Sequence, residues 1–263
     1  MNKNGIREHI PVLALPLAFG IIVLILVQTS VIHRLFSLTA MQLPLPSQIA
    51  QQIIQHKSEL ISNAIVTLMP TVTGILIGGI LGYALAVFAT RFPVGGFGGL
   101  ILMTALNSVP IVALATLMNR WFDSPFAAKT AVVIILTMGI MTVNAFRGLN
   151  DLKPQSHDLM YSYGATKRQI MWKLRIPGSL PDVFTALKIN ISAAMMGTII
   201  AEFFASETAG LGFMIKYCLK VGNQKAQGWA YIVAAAALSL LLYGIVCFIS
   251  NRVLIWHVST NKK

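Results

Sequence analysis

The sequence predicts an all-α, polytopic membrane protein whose residues 1–263 form a single transmembrane domain. Three observations predict it. Hydrophobic residues make up 56% of the chain and charged residues only 11%, far from the balance of a soluble domain. Apolar residues gather in runs of roughly 20 or more, the length a helix needs to cross hydrocarbon while satisfying its own backbone. Lysine and arginine are shared unevenly between the segments joining those runs, as positive-inside topology requires. Six spans are expected, at about 10–32, 61–89, 97–119, 127–147, 181–204 and 229–251.

With the N-terminus inside, the inner segments hold twelve of the 20 Lys and Arg residues and the outer segments seven, while Lys188 falls inside the fifth span. Both termini are therefore expected in the cytoplasm, in a multi-pass bacterial cytoplasmic (inner) membrane protein. The net charge of +12 is mostly topogenic on this reading, which argues against nucleic-acid binding. The first apolar run is too long for a signal peptide, and Gln28–His33 offers no small-x-small cleavage pattern, so it reads as a retained anchor. Cys218 and Cys247 fall near opposite faces, and His9, His33, His56, His157 and His257 are scattered without ligand spacing, so neither a disulfide nor a metal site is implied.

After the first span, Leu43-Pro44-Leu45-Pro46-Ser47 stops and restarts the chain, with Ser47 as expected N-cap of a helix within 41–58. Ile49, Ile53 and Ile54 give it an apolar face, for the membrane surface or for an extracytoplasmic partner. In span two, Gly74, Gly78 and Gly82 recur every four residues and leave a face bare enough for another helix to approach closely. Packing within one subunit is the plainer reading. The turn Arg91–Gly96 ends that helix. Span three contains Asn107-Ser108-Val109-Pro110, a polar break that must face protein or water. Asn107 and Ser108 are thus interhelical glue or lining of a path. Asn144, late in span four, poses the same choice and is expected to be glue.

The polar, basic stretch 149–180 lies between two spans, and charge concentrated in one internal loop points to a docked partner. It is expected to form two short helices. Ser156 would cap the first, with Asp158 in its first turn and Leu159, Met160 and Tyr163 on an apolar face. Gly164 breaks it. Thr166 and Gln169 have capping-box spacing and restart a second helix carrying Lys167, Arg168, Ile170, Met171 and Leu174, which Pro177 and Pro181 end. Span five then holds Asn190, Ser192, Met195, Met196, Thr198 and, near its outer end, Glu202. A carboxylate there needs water or a partner, and Lys216 or Lys220 is the expected one. Gly210-Leu211-Gly212 marks the following turn.

Gly164, thirteen residues before Pro177, with Asp158-Leu159-Met160 ahead of it and Leu174 and Ile176-Pro177 closing the pattern, resembles the loop of permease subunits of binding-protein-dependent type I ABC importers. The group it is similar to carries nitrate, sulfonates, taurine and thiamine pyrimidines. Leu159 and Met160 depart from that pattern, which has alanines there. Asn107–Pro110 before Arg120-Trp121-Phe122, Leu180-Pro181, and Ala201-Glu202 followed by Gly210-Leu211-Gly212 resemble the same group in kind and order. The resemblance implies the type I importer permease fold, with a coupling helix seated on a separate ATPase. Asp158, Tyr161, Tyr163, Gly164, Ala165, Thr166, Lys167, Arg168, Ile170 and Pro177 would serve that contact. It implies a second permease subunit, as a homodimer, and a periplasmic or extracellular binding protein. Asn107, Ser108, Asn144, Asn190, Met195, Met196, Thr198 and Glu202 are the candidates for the solute path. The solute would be a small organic anion or a vitamin-precursor-like molecule. ATP and Mg would sit on the partner, since the chain has no phosphate-loop motif and binds no cofactor on this reading. A secondary transporter would need internal repeats and buried carboxylates at midspan, which the sequence does not offer, and a membrane scaffold gives no reason for the glycine-to-proline spacing.

Overall fold

A computed structural model describes residues 15, 18–37, 39, 42–151, 154–221 and 224–255. Every regular element among them is helical. In order they are α1 (Ala18–Gln28), α2 (Val31–Leu35), α3 (Pro46–Gln55), α4 (Lys57–Arg91), α5 (Pro93–Asn107), α6 (Ile111–Trp121), α7 (Pro125–Asn150), α8 (Pro154–Ser162), α9 (Lys167–Ile170), a π turn (Met171–Arg175), α10 (Ile176–Phe204), α11 (Leu211–Lys220) and α12 (Lys225–Val253). Lys3, Arg7, Lys153, Lys262 and Lys263, on which the inside count partly rests, lie outside the described residues, as do His9, His257 and both termini.

Among the described residues four helices are long and apolar enough to cross a membrane: α4, α7, the continuous Lys167–Phe204 rod, and α12. The third expected span is broken, because α5 and α6 meet at 95°. Pro110 causes the break by withdrawing an N–H and turning Val109 out of helical geometry. The last turn of α5 tightens ahead of it, with Ser108 N donating to Ala105 O at 3.0 Å and Val109 N to Leu106 O at 3.2 Å. The first expected span ends earlier than the sequence suggests: α1 stops at Gln28, and Ser30 at φ 58° separates it from α2, while most of the expected start lies outside the described residues.

Helix α7 is the hub. Of its most apolar stretch 56% is buried, against 6% for α12. Its glycine-facing side receives α4: a Cβ on Gly74 would stand 2.5 Å from Val133, one on Gly82 would stand 2.5 Å from Met138 O, and one on Gly78 would strike Thr137. The bare stripe is therefore an intramolecular packing surface. Along its other sides α7 packs on α10 and α6 through Leu114, Ala115, Met118, Val132, Leu136 and Ala201. Near the α8 end, Ala86, Met141, Ala145, Leu149 and Ala186 form a second cluster. At the opposite end α3, α11 and α12 gather around Leu60, Leu211, Ile215, Cys218 and Tyr231.

Several local expectations change. Helix α3 starts at Pro46, and Gln48 Oε1 accepts the Leu45 N–H at 3.1 Å, so Ser47 is not the cap; its backbone and hydroxyl bond Gln28 instead. Ile53 packs inward, whereas Ile54 is 72% exposed. Ser156 does not cap α8, which begins two residues earlier. Pro177 and Pro181 do not end the second loop helix. The chain passes through the π turn directly into α10, with Ile176 N–H bonding Met171 O, and the wider turn leaves room for the Pro177 ring.

Candidate functional site

At the α11 end of the bundle, polar side chains from three long helices converge on one carboxylate. Asn63, Thr67 and Thr71 recur every four residues along α4 and so share a face. Glu202 projects from the last turn of α10 and is fully buried, as are Thr67, Thr71 and Thr198. Thr67 Oγ1 donates to Glu202 at 2.9 Å and accepts the Leu211 N–H at 2.9 Å. The neighbouring amides are held as well: Gly210 N donates to Asn63 Oδ1 at 2.8 Å and Gly212 N to Glu202 Oε2 at 2.7 Å. Three successive backbone donors at the start of α11 are thus satisfied by three side chains, and the carboxylate sits where a helix N-terminus favours negative charge. Only glycine suits position 210, where φ is 105° and a Cβ would enter the Glu202 carboxylate.

The positive partner is Lys129 of α7, 1% exposed, whose Nζ lies 3.6 Å from Glu202 and 2.7 Å from Glu207 on the α10–α11 loop. This corrects the sequence-based pairing with Lys216 or Lys220; Lys216 instead donates to the Phe203 carbonyl. A buried charge needs such a partner, because an unpaired one costs several kcal/mol. Reading from sequence missed Lys129, Thr67 and Asn63. The Asn63–Thr67–Thr71 stripe was a visible signal; for Lys129 the signal was a cation set among Ala127, Ala128 and Ala131.

The other path candidates scatter. Asn190 is fully buried and donates Nδ2 to Thr137 O at 3.2 Å, while its Oδ1 has no hydrogen-bond partner among the described residues. Thr198 shares a 2.8 Å hydrogen bond with Thr71, and Met195 is buried. Asn144 bonds its own helix, Nδ2 to Ile140 O at 2.8 Å, so it is not interhelical glue. Asn107, Ser108 and Met196 are exposed; Asn107 also lies against Gly139 of α7, and Ser108 turns back on Thr104 O. The structure does not bring these residues into one cavity. Two cavities, about 360 and 550 Å³, are wholly or almost wholly apolar and lie around Ile75, Leu76 and Leu187, the first between α4, α10 and α12 and the second between α4, α7 and α10.

At the α8 end a different surface forms. Gly164 takes φ 69°, a region open to glycine, and Gly164 N and Ala165 N bond back to Tyr161 O and Met160 O, closing α8. Thr166 then caps α9 reciprocally with Gln169: Gln169 N donates to Thr166 Oγ1 at 3.3 Å and Thr166 N to Gln169 Oε1 at 2.8 Å. Tyr161 is 74% exposed, Tyr163 82% and Trp172 64%. Asp158, Lys167 and Arg168 are exposed beside them, Ala165 and Pro177 are half-buried, and Ile170 is buried against its own chain. Arg175 anchors the base of the loop, donating to Asn150 Oδ1 at 2.8 Å and to Leu149 O at 3.3 Å. Arg147 and Asp182 pair across it at 2.8 Å.

A helical bundle with a broken span, a carboxylate-tied end and an aromatic loop projecting from the other defines a multi-pass membrane protein of the transporter class. Residues 74–255 match the family described as binding-protein-dependent transport system inner membrane component, and the chain belongs to that family. It is similar to the formylaminopyrimidine transport permease protein ThiX of Halalkalibacterium halodurans, 30% identical over 156 residues. That alignment covers 59% of this chain and 62% of ThiX, so under two thirds of that relative's length is matched. A probable ABC transporter permease protein of Haemophilus influenzae is 25% identical over 215 residues, covering 82% of this chain and 86% of that protein. The taurine transport system permease protein TauC of Escherichia coli is 29% identical over 108 residues, covering 41% of this chain and 39% of TauC. The crystal structure of an amino acid ABC transporter with histidines has the same fold, with TM-score 0.62 at 18% identity over 76% of this chain and 96% of that one.

Proposed function

We propose that this chain is the permease subunit of an ATP-driven ABC importer, moving a small solute across a bacterial cytoplasmic membrane by alternating access. The segment α8–Arg175 docks on a separate ATPase in the cytoplasm, where both termini also lie. A second copy of the chain completes the path, and a binding protein delivers solute at the α11 face. The chain hydrolyses nothing itself; ATP and Mg belong to the partner. ThiX and TauC are named for a pyrimidine and for taurine, which supports a small organic anion or heteroaromatic vitamin precursor as solute.

The observation that carries this reading is the loop. Tyr161, Tyr163 and Trp172 stand out from the bundle on a chain segment braced by Gly164, the Thr166–Gln169 cap and Arg175. A rigid, exposed aromatic and basic knob is what a protein groove accepts. A tagged Gly164→Asp variant is expected to insert normally yet to lose its ATPase on purification and to lose uptake. Retention of the full ATPase complement with normal uptake rules the docking role out.

A further inference from the structure

Lys188 stands about half-way through the bundle. Thr137, at the middle of α7, donates its hydroxyl to Gly74 O at 3.2 Å, and Asn190 donates to Thr137 O at 3.2 Å. Gly74 lies at the middle of α4 and Asn190 at that of α10, so one level joins the midpoints of three long helices. Lys188 is two residues from Asn190, about 3 Å along the axis and turned by roughly 200° around it. It therefore faces away from α7. Thr185, Lys188 and Ser192, spaced i, i+3 and i+7, share that face; Thr185, whose hydroxyl donates to Pro181 O at 2.9 Å, and Ser192 are exposed, Lys188 is half-buried, and the apolar Met196, 55% exposed, stands next along it. Among the described residues no group ion-pairs or hydrogen-bonds with Lys188.

An ammonium at this depth facing hydrocarbon is expensive, and intramembrane cations characteristically face a bundle interior or water and mark ion or substrate pathways. Snorkelling along the stem relieves such a cost near a helix end, but Lys188 stands at the middle of its helix, and the exposed Ser192 hydroxyl one turn away marks the same face as polar. We propose that Lys188 is an anion-binding group of the solute path, its ammonium meeting the carboxylate, sulfonate or similar oxyanion group of the solute as it crosses the middle of the membrane. The Lys188 ammonium, with the Ser192 hydroxyl one turn away, offers an oxyanion few enough donors that it can enter and also leave. Among the described residues Lys188 is the one cation at midspan, and Asn190, one of the path candidates named from the sequence, is turned into the α7 interface. The inference rests on the importer reading above.

The test uses the intact complex in membrane vesicles, in a chain carrying Cys218→Ala and Cys247→Ala. Ser192→Cys, one turn from Lys188, is treated with 2-sulfonatoethyl methanethiosulfonate and, separately, with 2-(trimethylammonio)ethyl methanethiosulfonate. The anionic reagent is expected to react about tenfold faster relative to the cationic one than in free solution. Lys188→Met is expected to abolish that preference and Lys188→Arg to keep it. If neither reagent reacts while a lipid-soluble maleimide does, this side of α10 faces lipid and the proposal falls. It falls equally if both reagents react with no preference that depends on Lys188. Co-purification of the ATPase is scored on the same samples, so the two readings fail separately: an ATPase retained without anion preference overturns the Lys188 site alone, and anion preference without a bound ATPase overturns the docking role of the loop alone.

Discussion

The two ends of the bundle solve opposite problems with similar residue types. At the α11 end Lys129 and Glu202 are buried and paired inside the chain, with the half-buried Glu207 joining them, and even backbone amides are claimed by side chains. At the α8 end the backbone is capped as thoroughly, but the large side chains are left outside, with Tyr163 82% exposed. The difference teaches where each end's partner is. The α11 end pairs its buried charges within one polypeptide and ties α4, α7, α10 and α11 together, whereas the α8 end holds its aromatic side chains outside on a well-capped backbone, as the proposed docking surface requires.

The largest effect should come from breaking the closed end. Lys129→Met strands two carboxylates, one of them fully buried, and is expected to cost about 3–5 kcal/mol of stability. Thermal unfolding of detergent-solubilised protein measures it. The double variant Lys129→Met with Glu202→Gln removes the stranded charge and should recover much of the loss. A single variant as stable as the parent would show that the end is not locked by charge.

Gly78→Ala probes the scaffold that joins the ends. Its Cβ would lie 2.7 Å from Ile134 O and strike the Thr137 hydroxyl, so α4 and α7 must part, at about 1–3 kcal/mol in the same assay. This surface was legible in the sequence because the signal is local: glycines every four residues declare a close-packed face wherever the partner helix stands. The Thr166–Gln169 cap and the Gly164 turn were legible for the same reason, being set by residues within one turn of each other. The Lys129–Glu202 pair was not, since it exists only once α7 and α10 lie side by side, and the sequence offered nearer lysines as rivals. The course of α9 into α10 was misread because prolines near a helix start can mark a boundary or be absorbed, and here a π turn absorbs Pro177.

Thr166→Ala tests the open end without touching its exposed aromatics. Losing the cap should cost about 1 kcal/mol locally and fray α9, seen as faster amide exchange over 166–170. Because Thr166 is itself exposed and outside the core clusters, the midpoint of global unfolding should hardly move, while ATPase retention falls. An equal drop in global stability would mean that the loop is part of the core and that the contrast between the ends is false.

The smallest effect is expected at the level between the ends. Asn190 is fully buried, yet it makes one hydrogen bond and leaves Oδ1 without a partner among the described residues. Truncating one member of a well-made buried pair is costly, but replacing a half-satisfied amide by an apolar side chain of similar volume is close to neutral, because an orphan acceptor is removed along with the bond. Asn190→Leu should therefore change stability by less than about 1 kcal/mol, the Thr137 carbonyl keeping its own helix as a partner. ATPase retention should be unchanged too. If instead the anion preference read at Ser192→Cys collapsed in Asn190→Leu, the amide would belong to the path after all, and the division of α10 into a packed face and a solute-facing one would have to be redrawn.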